Sequence, residues 1–66
     1  MGLPSDVIGR LLDEVGQYEG RDGLESIAGK GYRGELSPEL LALYDGDENG
    51  ARRAIQRLAY ARLQNV

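Results

Sequence analysis

The chain is predicted to be all-α: a small bundle of three to four short helices with a glycine-rich central loop. Three observations predict it. Apolar residues recur at helical spacing over residues 5–19 and again over 48–64, and a Ser-Pro pair at 37–38 marks another helix start. No segment alternates apolar and polar residues as a half-buried strand does. The 66 residues make a single small domain, 1–66. A chain of this length buries only about 60% of the surface its unfolded form exposes, so the core is small.

The first helix is expected near 5–19. Val7, Ile8, Leu11, Leu12, Val15 and Tyr18 form one apolar stripe, with Arg10, Asp13, Glu14 and Gln17 on the other side. Ser5 suits the N-cap, and Asp6 favours the positive end of the helix dipole. Gly9 and Gly16 flank the stripe. Each costs about 1 kcal/mol relative to alanine; they are read either as tolerated glycines or as a groove where another backbone approaches closely.

Residues 20–36 hold Gly20, Gly23, Gly29, Gly31 and Gly34. A short helix is expected near 22–28, followed by a loop or tight double turn over 29–34. The next helix, near 38–45, has Ser37 as N-cap and Pro38 at its first position. Leu36 and Leu41 match a hydrophobic staple, and Gly46 is a natural stop. Asp47 or Asn49 can cap a final helix near 48–64. Its apolar side carries Ala51, Ala54, Ile55 and Leu58, with Ala59 and Leu63 beside them.

Charge is divided along the chain. All eleven carboxylates lie in residues 1–48, whereas residues 49–66 carry only Arg52, Arg53, Arg57 and Arg62. The first stretch is net −7 and the second +4, for −3 overall. The C-terminal segment is therefore a basic surface attached to an acidic body.

There is no cysteine and no histidine, which excludes a disulfide, a Cys nucleophile, a His base and a His-ligated metal. The chain is read as not an enzyme, and no cofactor is expected. No apolar run approaches the roughly 20 residues that span a bilayer, and the N-terminus has no secretory pattern. A cytoplasmic location is the default expectation, with no membrane contact.

Three constellations carry candidate chemistry. Asp45-Gly46-Asp47-Glu48-Asn49-Gly50 resembles the opening of an EF-hand calcium loop, with Asp45, Asp47 and Asn49 at positions 1, 3 and 5 and glycine at 6. Position 8 is Arg52 and position 12 is Gln56, where the family has an aliphatic residue and a bidentate glutamate. No metal is therefore expected. Gly23 through Lys30 lacks the spacing and the Ser or Thr of a phosphate-binding loop. The second constellation is the loop with Lys30, Tyr32 and Arg33, a basic turn with one aromatic.

The third is the last helix. Arg53, Arg57, Tyr60 and Gln64 form a row at i, i+4, i+7 and i+11, flanked by Arg52 and Gln56. Residues 51–58 resemble the recognition helix of a helix-turn-helix protein, which implies a major-groove contact. Asp45 and Asp47 stand where that motif places apolar residues. In layout, residues 24–63 are similar to a ubiquitin-associated domain, with Gly31-Tyr32 in the place of its Gly-aromatic loop. The methionine that usually precedes that glycine is missing, and the first eighteen residues are additional.

The leading functional expectation is a non-enzymatic protein-binding module: an inhibitor, adaptor or assembly factor acting through charged helix faces. Arg52, Arg53, Gln56, Arg57, Tyr60 and Gln64 are its expected contact residues, with Lys30, Tyr32 and Arg33 as a secondary loop. The alternatives are a nucleic-acid-binding domain using the arginine face, and a small viral or oligomeric structural protein.

Overall fold

The computed structural model describes the backbone of residues 4–64 and the side chains of residues 6–64. These residues form three helices and no strand: α1 (Pro4–Lys30), α2 (Pro38–Leu43) and α3 (Glu48–Gln64). Ser5, expected as an N-cap, already lies inside α1.

α1 is two helical arms joined at a break. Gly20 has φ 67° and ψ −157°, a conformation essentially reserved for glycine. The chain turns there and continues as a helix to Lys30. Gly23 and Gly29 are consequently helical, and the non-helical connection shrinks to 31–37 with only Gly31 and Gly34. Gly23 is buried, and a Cβ on it would come within 3.0 Å of Val15 Cγ1, so its missing side chain permits one arm to pack on the other.

α1 and α3 make the principal interface. The core is Val7, Ile8 and Leu12 from the first arm, Leu24 and Ile27 from the second, Leu40 from α2, and Ala51, Ile55 and Ala59 from α3. Ile8, Leu12 and Ile55 are essentially inaccessible, and burial of each contributes roughly 1.5–3 kcal/mol. Ala51, Ile55 and Ala59 repeat every four residues, and two alanines among them allow α3 to approach α1 closely. Tyr18 leaves the expected stripe. It stands two residues before the Gly20 break and is 83% exposed.

Room beside Gly9 and Gly16 is partly taken up from within the same chain. Positions for a Cβ lie 3.5 Å from Arg62 Nη2 and 3.9 Å from Leu24 Cδ1 respectively.

The ends of α2 and α3 follow from local chemistry. Ser37 Oγ accepts from Leu40 N–H at 3.1 Å with Pro38 at the first helical position. At the other end, Gly46 N–H donates to Leu41 O and Asp45 N–H to Ala42 O. This bond pair is a Schellman motif. Its left-handed residue is Asp45, at φ 56°, and Gly46 follows at φ 79°. Asp47 then caps α3, its Oδ1 accepting from Gly50 N–H at 3.1 Å.

Candidate functional site

α3 presents its N-terminal half to the 31–37 loop and to the end of α1. Arg52 makes most of this junction. Its Nη1 donates to Tyr32 O at 2.8 Å and to Gly34 O at 2.9 Å. Its Nε and Nη2 both donate to Glu48 Oε1, one turn earlier on the same helix. The guanidinium also stands 6.0 Å from the centre of the Tyr32 ring, within cation–π range. One turn further along, Gln56 Nε2 donates to Ala28 O at 3.0 Å.

Tyr32 is the loop's anchor. Its ring packs against the core, and its hydroxyl donates to Glu35 O at 3.0 Å. A Cβ on Gly34 would come within 2.6 Å of Tyr32 Cζ, so a glycine is needed there to admit the ring. Burial pushes the Tyr32 phenol above its ordinary pKa. The nearby Arg52 charge opposes that rise, and Glu35 and Glu14 reinforce it.

Arg52 and Gln56 thus direct their hydrogen bonds into their own chain. The remaining members of the predicted row stay at the surface: Arg53, Arg57, Tyr60 and Gln64 are exposed. The structure brings the two predicted clusters together. Lys30, Tyr32 and Arg33 form one wall of an open depression of about 370 Å³, and Asn49, Arg52 and Arg53 form the other. No carboxylate lines it.

Ion pairing divides the eight cations of the chain in two. Arg10 pairs with Glu39, Arg21 with Glu25, Arg52 with Glu48 and Arg62 with Asp13. Lys30, Arg33, Arg53 and Arg57 have no ion pair or hydrogen bond among the described residues. Three of those four line the depression, and Arg57 lies one helical turn beyond Arg53.

A second hollow, of about 470 Å³, has the opposite character. Glu14, Glu35 and Glu39 surround it with Arg10, over Val7 and Leu11. Among the described residues, no three His, Cys, Asp or Glu side chains gather where they could hold a metal ion. Asp45 and Asp47 instead terminate α2 and start α3. No described helix is long and apolar enough to cross a membrane.

Sequence reasoning overlooked Asn49 as a wall of the depression, and the pairing of Arg62 with Asp13 across 49 residues. Asn49 was legible as a helix cap and as a position of the calcium-loop resemblance, and no local signal marks a contact as remote as Arg62 to Asp13. No protein-family model, curated protein or solved structure matches this chain.

Proposed function

We propose that this protein is a small non-enzymatic protein-binding module, an inhibitor, adaptor or assembly factor, that grips an acidic partner through its cationic depression. Arg57 and Tyr60 extend the contact along α3. One observation carries this reading. In a chain of net charge −3, the only cations without an internal partner among the described residues are Lys30, Arg33, Arg53 and Arg57, and they occupy one region. An unneutralised cluster of this kind steers an oppositely charged partner and fixes its orientation. Tyr60, 56% exposed beside these arginines, supplies the aromatic area that interface anchors commonly use.

The experiment compares the full chain with an Arg53→Glu, Arg57→Glu variant as bait in host extract at low and moderate salt. A protein captured by the wild type and lost with the variant supports the reading. Equal capture by both, or none by either, removes it.

A second reading, nucleic-acid binding through residues 47–64, draws on the same unpaired Arg53 and Arg57. Opposing it are Asp45, Asp47 and Glu48, exposed at the head of that helix, which would repel phosphates. A titration of random duplex at several salt concentrations separates the two: binding that steepens as salt falls, and weakens when Arg53 is replaced, would favour nucleic acid.

A further inference from the structure

We infer that the depression between the 31–37 loop and α3 receives a phosphoryl group carried on a side chain of the protein partner. This rests on the reading of the chain as a protein-binding module and names the chemistry that its cationic depression recognises.

Charge is the first reason. Arg52 is already neutralised by Glu48, which leaves Lys30 at the end of α1, Arg33 in the 31–37 loop and Arg53 on α3 as the unpaired cations lining the depression. A carboxylate brings one negative charge to such a site. A phosphorylated serine, threonine or tyrosine brings about 1.5 to 2 charges and three acceptor oxygens at neutral pH, a better match to cations on both walls.

Apart from Arg57, one turn beyond Arg53 on α3, the positive region is bounded by carboxylates. Glu35 follows Arg33 by two residues, and Asp47 and Glu48 immediately precede Asn49; all three carboxylates are exposed. A continuous polyanion leaving the depression meets these groups, whereas a single anion does not. The aromatic residue offers no free platform for a base either. One face of Tyr32 carries the Arg52 guanidinium, its edge lies against Gly34, and its hydroxyl is held by Glu35 O. A point anion on a polypeptide fits these restrictions; a stacked single strand does not.

The walls are also set before any ligand arrives. Arg52 ties Tyr32 O and Gly34 O to α3, and Gln56 ties the end of α1 to the same helix. Binding then orders only the Lys30, Arg33 and Arg53 side chains, which limits its entropic cost.

The test uses the full ¹⁵N-labelled chain and follows its amide resonances. Four probes are titrated in one buffer: a glycine-alanine peptide with a central phosphoserine, the same peptide with glutamate there, inorganic phosphate, and a random DNA duplex. The expected result is saturable shifts confined to residues 30–34 and 49–53, with the phosphoserine peptide binding at least about tenfold tighter than its glutamate twin. Arg33→Gln and Arg53→Gln should each weaken it by about tenfold, a change of 1.4 kcal/mol. Arg21→Gln, on an exposed pair elsewhere, should leave it unchanged. Binding of inorganic phosphate with the same localised shifts supports the inference.

Equal affinity for the glutamate peptide overturns the phosphoryl assignment and leaves the acidic-partner reading standing. Shifts spread outside the depression, or no peptide binding at all, also overturn it. Tighter binding of the duplex at the same salt overturns it in favour of nucleic acid. The Arg53→Glu, Arg57→Glu capture experiment is independent of these outcomes, so failure of the two readings can be told apart.

Discussion

Arg52 holds Tyr32 twice: its guanidinium donates to the Tyr32 carbonyl at 2.8 Å and stands 6.0 Å from the centre of the same residue's ring. With the further bond to Gly34 O, one side chain of α3 determines where the 31–37 connection runs. The arginine best placed to look like a ligand-binding residue is thereby the one that builds the depression, and its neighbours Arg53, Arg33 and Lys30 are left without an ion pair among the described residues.

Replacing Arg52 should loosen this connection first. Arg52→Ala removes charge-assisted bonds to two carbonyls on a partly exposed side chain, a loss of about 1–3 kcal/mol. For a domain of this size each kcal/mol lowers Tm by roughly 4–8 °C. Thermal unfolding gives the total. Faster amide exchange across 31–37 than in the centre of α3 would place the effect, and uniform acceleration would contradict it. Arg52→Lys should recover little, because an ammonium has no planar fork to reach both carbonyls and Glu48 together.

Gly20→Ala should cost about 1–3 kcal/mol through backbone strain alone, since no atom lies within 4 Å of the added Cβ while φ is 67°. Urea unfolding measures it. A D-alanine introduced at position 20 by chemical synthesis is the mirror case: these angles correspond to an ordinary extended conformation for a D-residue. That variant should be as stable as the parent. Equal loss with both enantiomers would mean that space, not conformation, is the constraint.

Asp45→Gly should stabilise the protein by about 0.5–1 kcal/mol. Asp45 occupies the left-handed position of the α2 cap at φ 56°, where a Cβ is unfavourable and glycine is the usual occupant. The urea midpoint should rise with an unchanged m-value. A fall would show that the Asp45 carboxylate makes a contribution larger than the backbone penalty.

Tyr32 should make stability sensitive to alkaline pH. Its phenol is raised above the ordinary value of 10.0, chiefly by burial. The folded state therefore holds the proton more tightly than the unfolded chain. The contribution is fully present below pH 10 and is lost as pH rises through the folded-state pKa. Denaturant unfolding from pH 7 to 11.5 should show this decline, and Tyr32→Phe should flatten it. That variant also loses the hydroxyl bond to Glu35 O, at about 0.5–1.5 kcal/mol near neutral pH.

Much of the helical layout was readable from neighbours along the chain. Ser37-Pro38 marked α2 because a cap involves groups three residues apart, and Asp47 marked α3 for the same reason. Helical periodicity marked the apolar side of α3 as Ala51, Ala54, Ile55 and Leu58 with Ala59 and Leu63 beside them; packing buries Ala51, Ile55 and Ala59 and leaves the others half-buried. Gly20, Gly23 and Gly29 misled, since glycine frequency alone does not distinguish a loop from a helix broken at one residue. Gly20 breaks α1, whereas Gly23 is retained inside it by burial against the other arm.

The amino-acid order by itself determined the helical class, most helix ends and the concentration of arginine beyond residue 48, because these depend on groups within about four residues of one another. Two of the four ion pairs, Arg21–Glu25 and Arg52–Glu48, are also i to i+4 neighbours on one helix, whereas the long-range contacts of the cations were decided only by tertiary packing. That packing carries Arg62 to Asp13 and Arg52 to the 31–37 connection, and leaves Lys30, Arg33 and Arg53 around a shared hollow. Coulomb attraction and hydrogen bonding act over a few ångströms of space, and positions 20 to 50 residues apart acquire such distances only when the chain has folded.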